Sequence, residues 1–147
     1  MSFRAPLLAS AVAFSAVIGL TIAESQAQAQ QLHEVIAPPA AGRVGAKGRT
    51  AVTLTGKNGW HLNEQAPVTL KLTPSDGLAV DKAKLGRKDL VEDTKDRARF
   101  DIPFTAQKEG RQTIEAEAAF VVCQEAACKP VKEKVTLAVQ VSPAAKK

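Results

Sequence analysis

The feature that most constrains this fold is a strict two-residue alternation of apolar side chains in the last third of the chain. Every second residue is apolar from Ile114 to Val122, and the same holds from Val135 to Val141. A period of two places these side chains on one face of a β-strand, whereas an amphipathic helix needs a period near 3.6. The sequence therefore predicts two long strands, over residues 112–123 and 131–141, each with one buried face.

Shorter segments with the same character precede these two strands. We expect them at residues 51–55, 67–73, 78–84 and 100–104, with Gly-, Pro- and Asn-containing turns between them. No stretch of helix length is amphipathic, and there is no internal repeat. About seven short strands separated by turns predict an all-β domain, an immunoglobulin-like antiparallel β-sandwich.

Composition sets the expected borders of this domain at residues 49–142. Residues 30–48 are rich in Gln, Ala, Pro and Gly, which is typical of a flexible lead-in. Residues 81–99 are densely charged, so we expect an exposed loop with a short helical turn near residues 85–91. The five residues 143–147 are expected to be frayed.

Residues 1–29 have the pattern of a secretory signal peptide. A single positive charge, Arg4, precedes an apolar run over residues 5–23, and Ala27 and Ala29 form an A-x-A cleavage pattern. An uncleaved membrane anchor is the alternative, because the run is close to the length of a bilayer span. Cleavage after Ala29 predicts an exported protein without stable membrane insertion. The net charge is +5 with both signs interspersed, which, together with export, argues against a nucleic-acid partner.

Two cysteines, Cys123 and Cys128, are the only ones in the chain. They stand at the end of one predicted long strand and just before the next, with four residues between them. In a hairpin they would face each other across the strands, where the Cα separation of about 4.5 to 5.5 Å suits a disulfide. An oxidising compartment favours closure of the pair.

The position of this bridge bears on what it does. A bridge that closes so short a loop removes only about 2 kcal/mol of unfolded-state freedom, against more than about 4 kcal/mol for one that spans a domain. A weak cross-link at a sheet end is a candidate for redox exchange. The adjacent Lys129 would favour a thiolate, Glu125 would oppose it, and Pro130 stiffens the chain after Cys128.

Two other functions stay open on the residues alone. One is a non-catalytic immunoglobulin-like binding module with an inert bridge. The other is a periplasmic copper-handling protein that uses the two thiols with His33 or His61, although the C-x4-C spacing has no neighbouring His, so no metal or other cofactor is predicted. Trp60 is expected to be a core anchor and Asn63 to hold a turn. No hydrolase pattern is present, and enzymatic activity, if any, would be thiol:disulfide oxidoreduction.

The order of these segments resembles the amino-terminal domain family of the thiol:disulfide interchange protein DsbD. The resemblance is carried by residues 59–63, 67–72, 100–104, 120–130 and 135–139, and it spans about residues 45 to 141. In that family the spacing between the cysteines is one residue longer, and an aromatic side chain covers the bridge.

The resemblance implies an immunoglobulin-like sandwich in the periplasm, in a free-standing version. Its Cys123–Cys128 pair would take electrons from a separate membrane donor and pass them to oxidised periplasmic thiol proteins. It also implies that Cys128 attacks the client disulfide and that Cys123 resolves the mixed intermediate.

Overall fold

A computed structural model describes residues 30–146 of the 147-residue chain. The predicted signal peptide, residues 1–29, lies outside these residues, as does Lys147 at the end of the tail. Across residues 30–146, the structure contains no helix of the length and apolar character that a membrane crossing would require.

Eleven strands and one short 3-10 helix make up the regular structure of residues 30–146. The strands are β1 (His33–Ile36), β2 (Ala40–Arg43), β3 (Lys47–Gly56), β4 (His61–Leu62), β5 (Thr69–Pro74), β6 (Leu78–Val80), β7 (Lys84–Gly86), β8 (Leu90–Asp93), β9 (Arg97–Ala106), β10 (Gly110–Gln124) and β11 (Ala127–Ser142). The 3-10 helix, Arg87–Asp89, joins β7 to β8.

The strands form two sheets. The first has the order β1-β3-β9-β6, with β8 also paired to β9, and the second has the order β2-β11-β10-β5-β7, with β4 also paired to β10. Every pair is antiparallel except β2 with β11, which is parallel. This arrangement confirms the predicted all-β, immunoglobulin-like sandwich.

The core lies between the two sheets and is built from the alternating positions. Ile114, Ala118 and Val122 of β10 are fully buried, as are Leu137 and Val139 of β11. Their polar neighbours face outward, as the period of two requires. The alternation in β9 likewise buries its aromatic and aliphatic positions, and Trp60, with 8% of its surface exposed, joins the same core as predicted.

The prediction of a flexible lead-in over residues 30–48 was wrong. This stretch supplies β1, which pairs with β3, and β2, which runs parallel to β11. The glycines that suggested flexibility serve close packing instead, because a methyl group at Gly48 would collide with the Phe104 ring and one at Gly42 would press against it. Glycine is the residue that lets a backbone approach a ring this closely.

The charged segment 81–99 is also more ordered than predicted. The helical turn expected near residues 85–91 is present as the 3-10 helix, but strands β7 and β8 replace the rest of the expected loop. These short strands add to the edges of both sheets. Leu85 is buried and Leu90 packs against the core, which holds the segment in place. Asp89 closes the turn by accepting a hydrogen bond from the Gly86 N–H.

Candidate redox site

The two cysteines lie near the tip of the long β10–β11 hairpin. Strands β10 and β11 pair continuously from Gly110 and Val141 to Gln124 and Ala127. Both strands run further than predicted, because the hairpin closes through a two-residue turn at residues 125–126 instead of a four-residue loop. Glu125 takes a left-handed backbone conformation there, with φ of 40°, which is the geometry that tight hairpin turns require.

A disulfide joins Cys123 to Cys128, as predicted from their spacing. The two residues are direct partners across the hairpin, with their Cα atoms 4.0 Å apart. This separation is close to the shorter of the two spacings in an antiparallel pair, at the position without backbone hydrogen bonds. A redox role for the two residues stays a prediction at this point.

The two halves of the bridge have different surroundings. Cys123 is half-buried because β10 has a neighbour on each side, with β11 on one and β4 on the other, where His61 lies opposite Cys123. Cys128 is exposed. Within residues 30–146, β11 has a strand on its outer side only where β2 pairs with Val139–Ser142, so Cys128 lies on an open edge.

Lys129 does not lie on the face of the sheet that carries the bridge. Successive side chains of a strand point to opposite faces, and the Lys129 ammonium group is 5.5 Å from the centre of the Trp60 ring, on the core side. This position suits a cation–π contact. Lys129 therefore faces away from the bridge, and its effect on a thiolate at Cys128 stays a prediction.

Asn63 lies against the bridge and has three side-chain hydrogen bonds. Its Oδ1 accepts from the backbone N–H groups of Gln65 and Ala66, at 2.9 and 3.1 Å, which confirms the predicted turn. Its Nδ2 donates to the sulfur of Cys123 over 3.5 Å. No sequence pattern indicates this last contact, because the two residues are sixty positions apart.

Arg87 fixes the loop that carries Asn63. Its guanidinium group donates to the backbone oxygens of Asn63, at 2.8 Å, and Ala66, at 2.6 Å, and forms an ion pair with Asp93. Arg87 begins the 3-10 turn that Asp89 closes. A hydrogen bond from Lys82, and then one from the Gly86 N–H, hold the pKa of the Asp89 carboxyl below its usual value.

The two histidines lie in different places. His61 is exposed, and its Nδ1 lies 3.0 Å from an Asp96 oxygen. His33 contacts Glu133 and meets the Phe120 ring edge-on, with ring centres 5.4 Å apart. Across the described residues 30–146, no group of three or more His, Cys, Asp and Glu side chains is placed to hold a metal ion.

A shallow apolar groove adjoins the bridge. It has a volume of about 520 Å³ and is lined by Pro67, Thr69, Ala119, Phe120, Val121, Pro130, Val131 and Lys132. Val121 and Pro130 are the pair of hairpin residues two positions from the bridge, so they share its face of the sheet. The groove thus places an apolar surface beside the disulfide.

No family model and no curated protein matches this chain. Among solved structures, a chain of the human seminal plasma complex between zinc 2-glycoprotein and prolactin inducible protein is similar, with a TM-score of 0.52 and 13% identity over 80% of this chain and 99% of that chain.

Two further similar structures have lower scores. A PapD-like domain of human CEP192 has a TM-score of 0.43 and 9% identity, over 78% of this chain and 88% of that chain. Domains 4 and 5 of the S-layer protein SbsC have a TM-score of 0.41 and 15% identity, over 74% of this chain and half of that chain. At 13% identity, the likeness to the seminal plasma chain shows the fold alone.

Proposed function

We propose that this domain is a thiol–disulfide exchange protein that passes electrons through a reversible Cys123–Cys128 bridge. The observation that carries the proposal is the position of the bridge at the exposed tip of a hairpin that is already fully paired. A bridge there adds little order to the fold, and its Cys128 sulfur is open to a partner.

The exchange balances as two thiol substitutions. Cys128 thiolate attacks a client disulfide, forms a mixed disulfide and releases one client thiolate. Cys123 thiolate then attacks the Cys128 sulfur, which restores the bridge and releases the second client thiolate. The client gains two electrons, the domain loses them, and a separate thiol donor reduces the bridge again.

The groove beside the bridge supports the same function. A client must bring its own disulfide to the hairpin tip, and an apolar surface next to the reactive sulfur provides contact area for a chain segment. The resemblance to the DsbD amino-terminal family points the same way. It supports oxidised periplasmic thiol proteins as clients and a separate membrane protein as donor.

The reduction potential of the bridge tests this proposal. The purified domain, residues 30–147, is equilibrated in thiol buffers, and free thiols are trapped with a mass tag. A potential of roughly −120 to −270 mV, the range of known exchange proteins, is expected. A potential below about −300 mV would mark a structural bridge and would overturn the proposal.

Trapping of mixed disulfides gives a second test. Cys123→Ala leaves Cys128 able to attack but removes the group that resolves the intermediate, so this variant should retain client proteins as mixed disulfides. Cys128→Ala is the matched control and should retain none. Recovery of no mixed disulfide from either variant would count against an exchange function.

A binding module with an inert bridge is the second candidate. The half-buried position of Cys123, with Asn63 and β4 beside it, favours this candidate because it shields one sulfur. An inert bridge predicts resistance to mild reductant and unchanged partner binding after Cys→Ser substitution of both residues.

A further inference from the structure

We infer that Asn63 divides the roles of the two sulfurs: its amide group stabilises Cys123 as the leaving thiolate, so that an incoming thiolate attacks Cys128. This inference rests on the proposed exchange chemistry and deepens it. Asn63 is a positioning residue in this scheme, since it acts through Cys123 and not on the client.

The hydrogen-bond pattern fixes which end of the Asn63 amide faces the sulfur. Two backbone N–H groups, those of Gln65 and Ala66, point at one end of the amide, and that end must be the acceptor oxygen. The other end, which lies 3.5 Å from the Cys123 sulfur, is therefore the NH₂ donor. A flipped amide would leave two N–H groups facing a donor.

The donor is also held in place before any reaction occurs. The backbone N–H of Asn63 donates to the Val121 oxygen over 2.9 Å, and Arg87 binds the Asn63 carbonyl oxygen. Residue 63 is thus tied to β10 on one side and to the 3-10 turn on the other. A donor that is already oriented need not reorganise when charge develops on the sulfur.

Hydrogen bonding to a thiolate favours the charged form, and a better stabilised thiolate leaves faster. The Asn63 amide contacts Cys123, and no equivalent contact reaches Cys128 among the described residues. Lys129, the nearest cation in sequence, lies on the other face. The ionisable groups near the bridge are His61, paired with Asp96, and Glu125 in the turn.

An incoming thiolate also reaches Cys128 more easily than Cys123. Thiolate attack proceeds in line with the bond that breaks, so the nucleophile approaches from the far side of the sulfur that it attacks. The far side of Cys128 is the open edge of β11. The far side of Cys123 is occupied by β4, which carries His61, and by the loop of Asn63.

Two thiol substitutions reduce the bridge. A thiolate attacks the Cys128 sulfur, a new bond forms between these two sulfurs, and the Cys123–Cys128 bond breaks. The electron pair of that bond leaves on Cys123, where the Asn63 amide N–H receives it as a hydrogen-bond acceptor. A second thiolate then displaces Cys128 from the mixed disulfide, so two thiols are oxidised and the bridge is reduced.

The first experiment uses glutathione and the unaltered domain. The oxidised domain is exposed briefly to glutathione, free thiols are trapped by alkylation, and the attached glutathione is located by mass spectrometry of peptides. Attachment predominantly at Cys128, with alkylated Cys123, is expected. Attachment predominantly at Cys123, or equally at both, would overturn the inference, and this result depends on no variant folding.

The second experiment removes the donor but keeps the turn. Asn63→Asp retains an oxygen for the N–H groups of residues 65 and 66, but it places a carboxylate against Cys123. We expect reduction by glutathione to slow by about tenfold, which corresponds to about 1.4 kcal/mol of lost stabilisation. Alkylation of Cys123 in a Cys128→Ser background should then require a higher pH.

Gln65→Glu is the matched control, because it adds the same charge at an exposed position two residues away. Its glutathione rate and alkylation profile should match those of the unaltered domain. Equal slowing in both variants, or no change in Asn63→Asp, would overturn the inference. A bridge potential below −300 mV together with glutathione attachment at Cys128 would instead overturn the proposed function alone.

Discussion

The two ends of the β10–β11 hairpin follow the same backbone pattern but differ in what surrounds them. The base, residues 110–118 paired with 133–141, has β5 beside β10 and β2 beside the end of β11. Ile114, Leu137 and Val139 on its inner face are fully buried. The tip, residues 119–132, has only the two-residue strand β4 and the first residue of β5 beside it, and residues 124–130 are all exposed. The residues around the Cys123–Cys128 bridge are thus exposed, whereas most of the residues at the base have neighbouring strands.

The largest expected effect comes from the base. Leu137→Ala should lower the free energy of unfolding by about 2–5 kcal/mol, because it leaves a cavity at a fully buried position. Chemical denaturation measures this loss. Thr136→Ala, at the exposed neighbouring position, should change stability by less than about 0.5 kcal/mol. Similar losses of unfolding free energy in both variants would contradict the inference that the buried face of the base stabilises the fold.

Removal of the bridge should have a smaller effect. The double substitution Cys123→Ala with Cys128→Ala should cost about 2 kcal/mol or less, since the bridge closes only a short loop. Thermal and denaturant midpoints, compared with those of Leu137→Ala, check this order. A larger loss than that of Leu137→Ala would mean that the tip, and not the base, secures the hairpin.

Replacement of a glutamate by glycine should raise the free energy of unfolding at the tip of the hairpin and lower it at the base. Glu125 has a positive φ in the turn, so Glu125→Gly should raise the free energy of unfolding by about 0.5 kcal/mol. Glu115 lies in β10 at the base, where Glu115→Gly should lower it by about 0.5–1 kcal/mol. Denaturant midpoints give both values, and the same sign at both ends would contradict the distinction.

The smallest expected effect on stability comes from Asp89, in the 3-10 turn that joins β7 to β8. The pKa of Asp89 in the folded protein is lowered chiefly by the hydrogen bond from Lys82. The contribution of Asp89 to folding stability is therefore complete above the usual carboxyl pKa of 3.8, and it is lost as the pH falls through the lower pKa of the folded state. Asp89→Asn should therefore reduce the loss of stability in acid. Denaturant midpoints at pH 7 and pH 3 test this, and an unchanged acid response would exclude Asp89 as its source.

The base of the hairpin was predictable from sequence, but parts of its surroundings were not. Alternation from Ile114 to Val122 fixed the buried face, since a shift by one residue would expose every apolar side chain. Strand β2 and the start of β3 were missed because Gly42 and Gly48 suggest flexibility when the ring of Phe104, against which they pack, is not known. Strand propensity carries no information about such a contact.

The site was predictable only in part. The spacing of Cys123 and Cys128 was enough to predict their pairing, because direct partners in a hairpin are set by local geometry. The contacts of Asn63 and Arg87 were not predictable, since they depend on loops brought together by the packing of distant strands. The face of Lys129 did follow from strand alternation, once the strand was known to begin at Ala127.

The packing of Trp60 has an optical consequence. It is the only tryptophan in a chain without tyrosine, and it lies buried beneath Lys129 at the hairpin tip. Light that the protein emits after excitation of indole therefore comes from one place, on the core side of the strand that carries Cys128. The chain contains its own fluorescent reporter, and that reporter lies at the end of the molecule that holds the Cys123–Cys128 bridge.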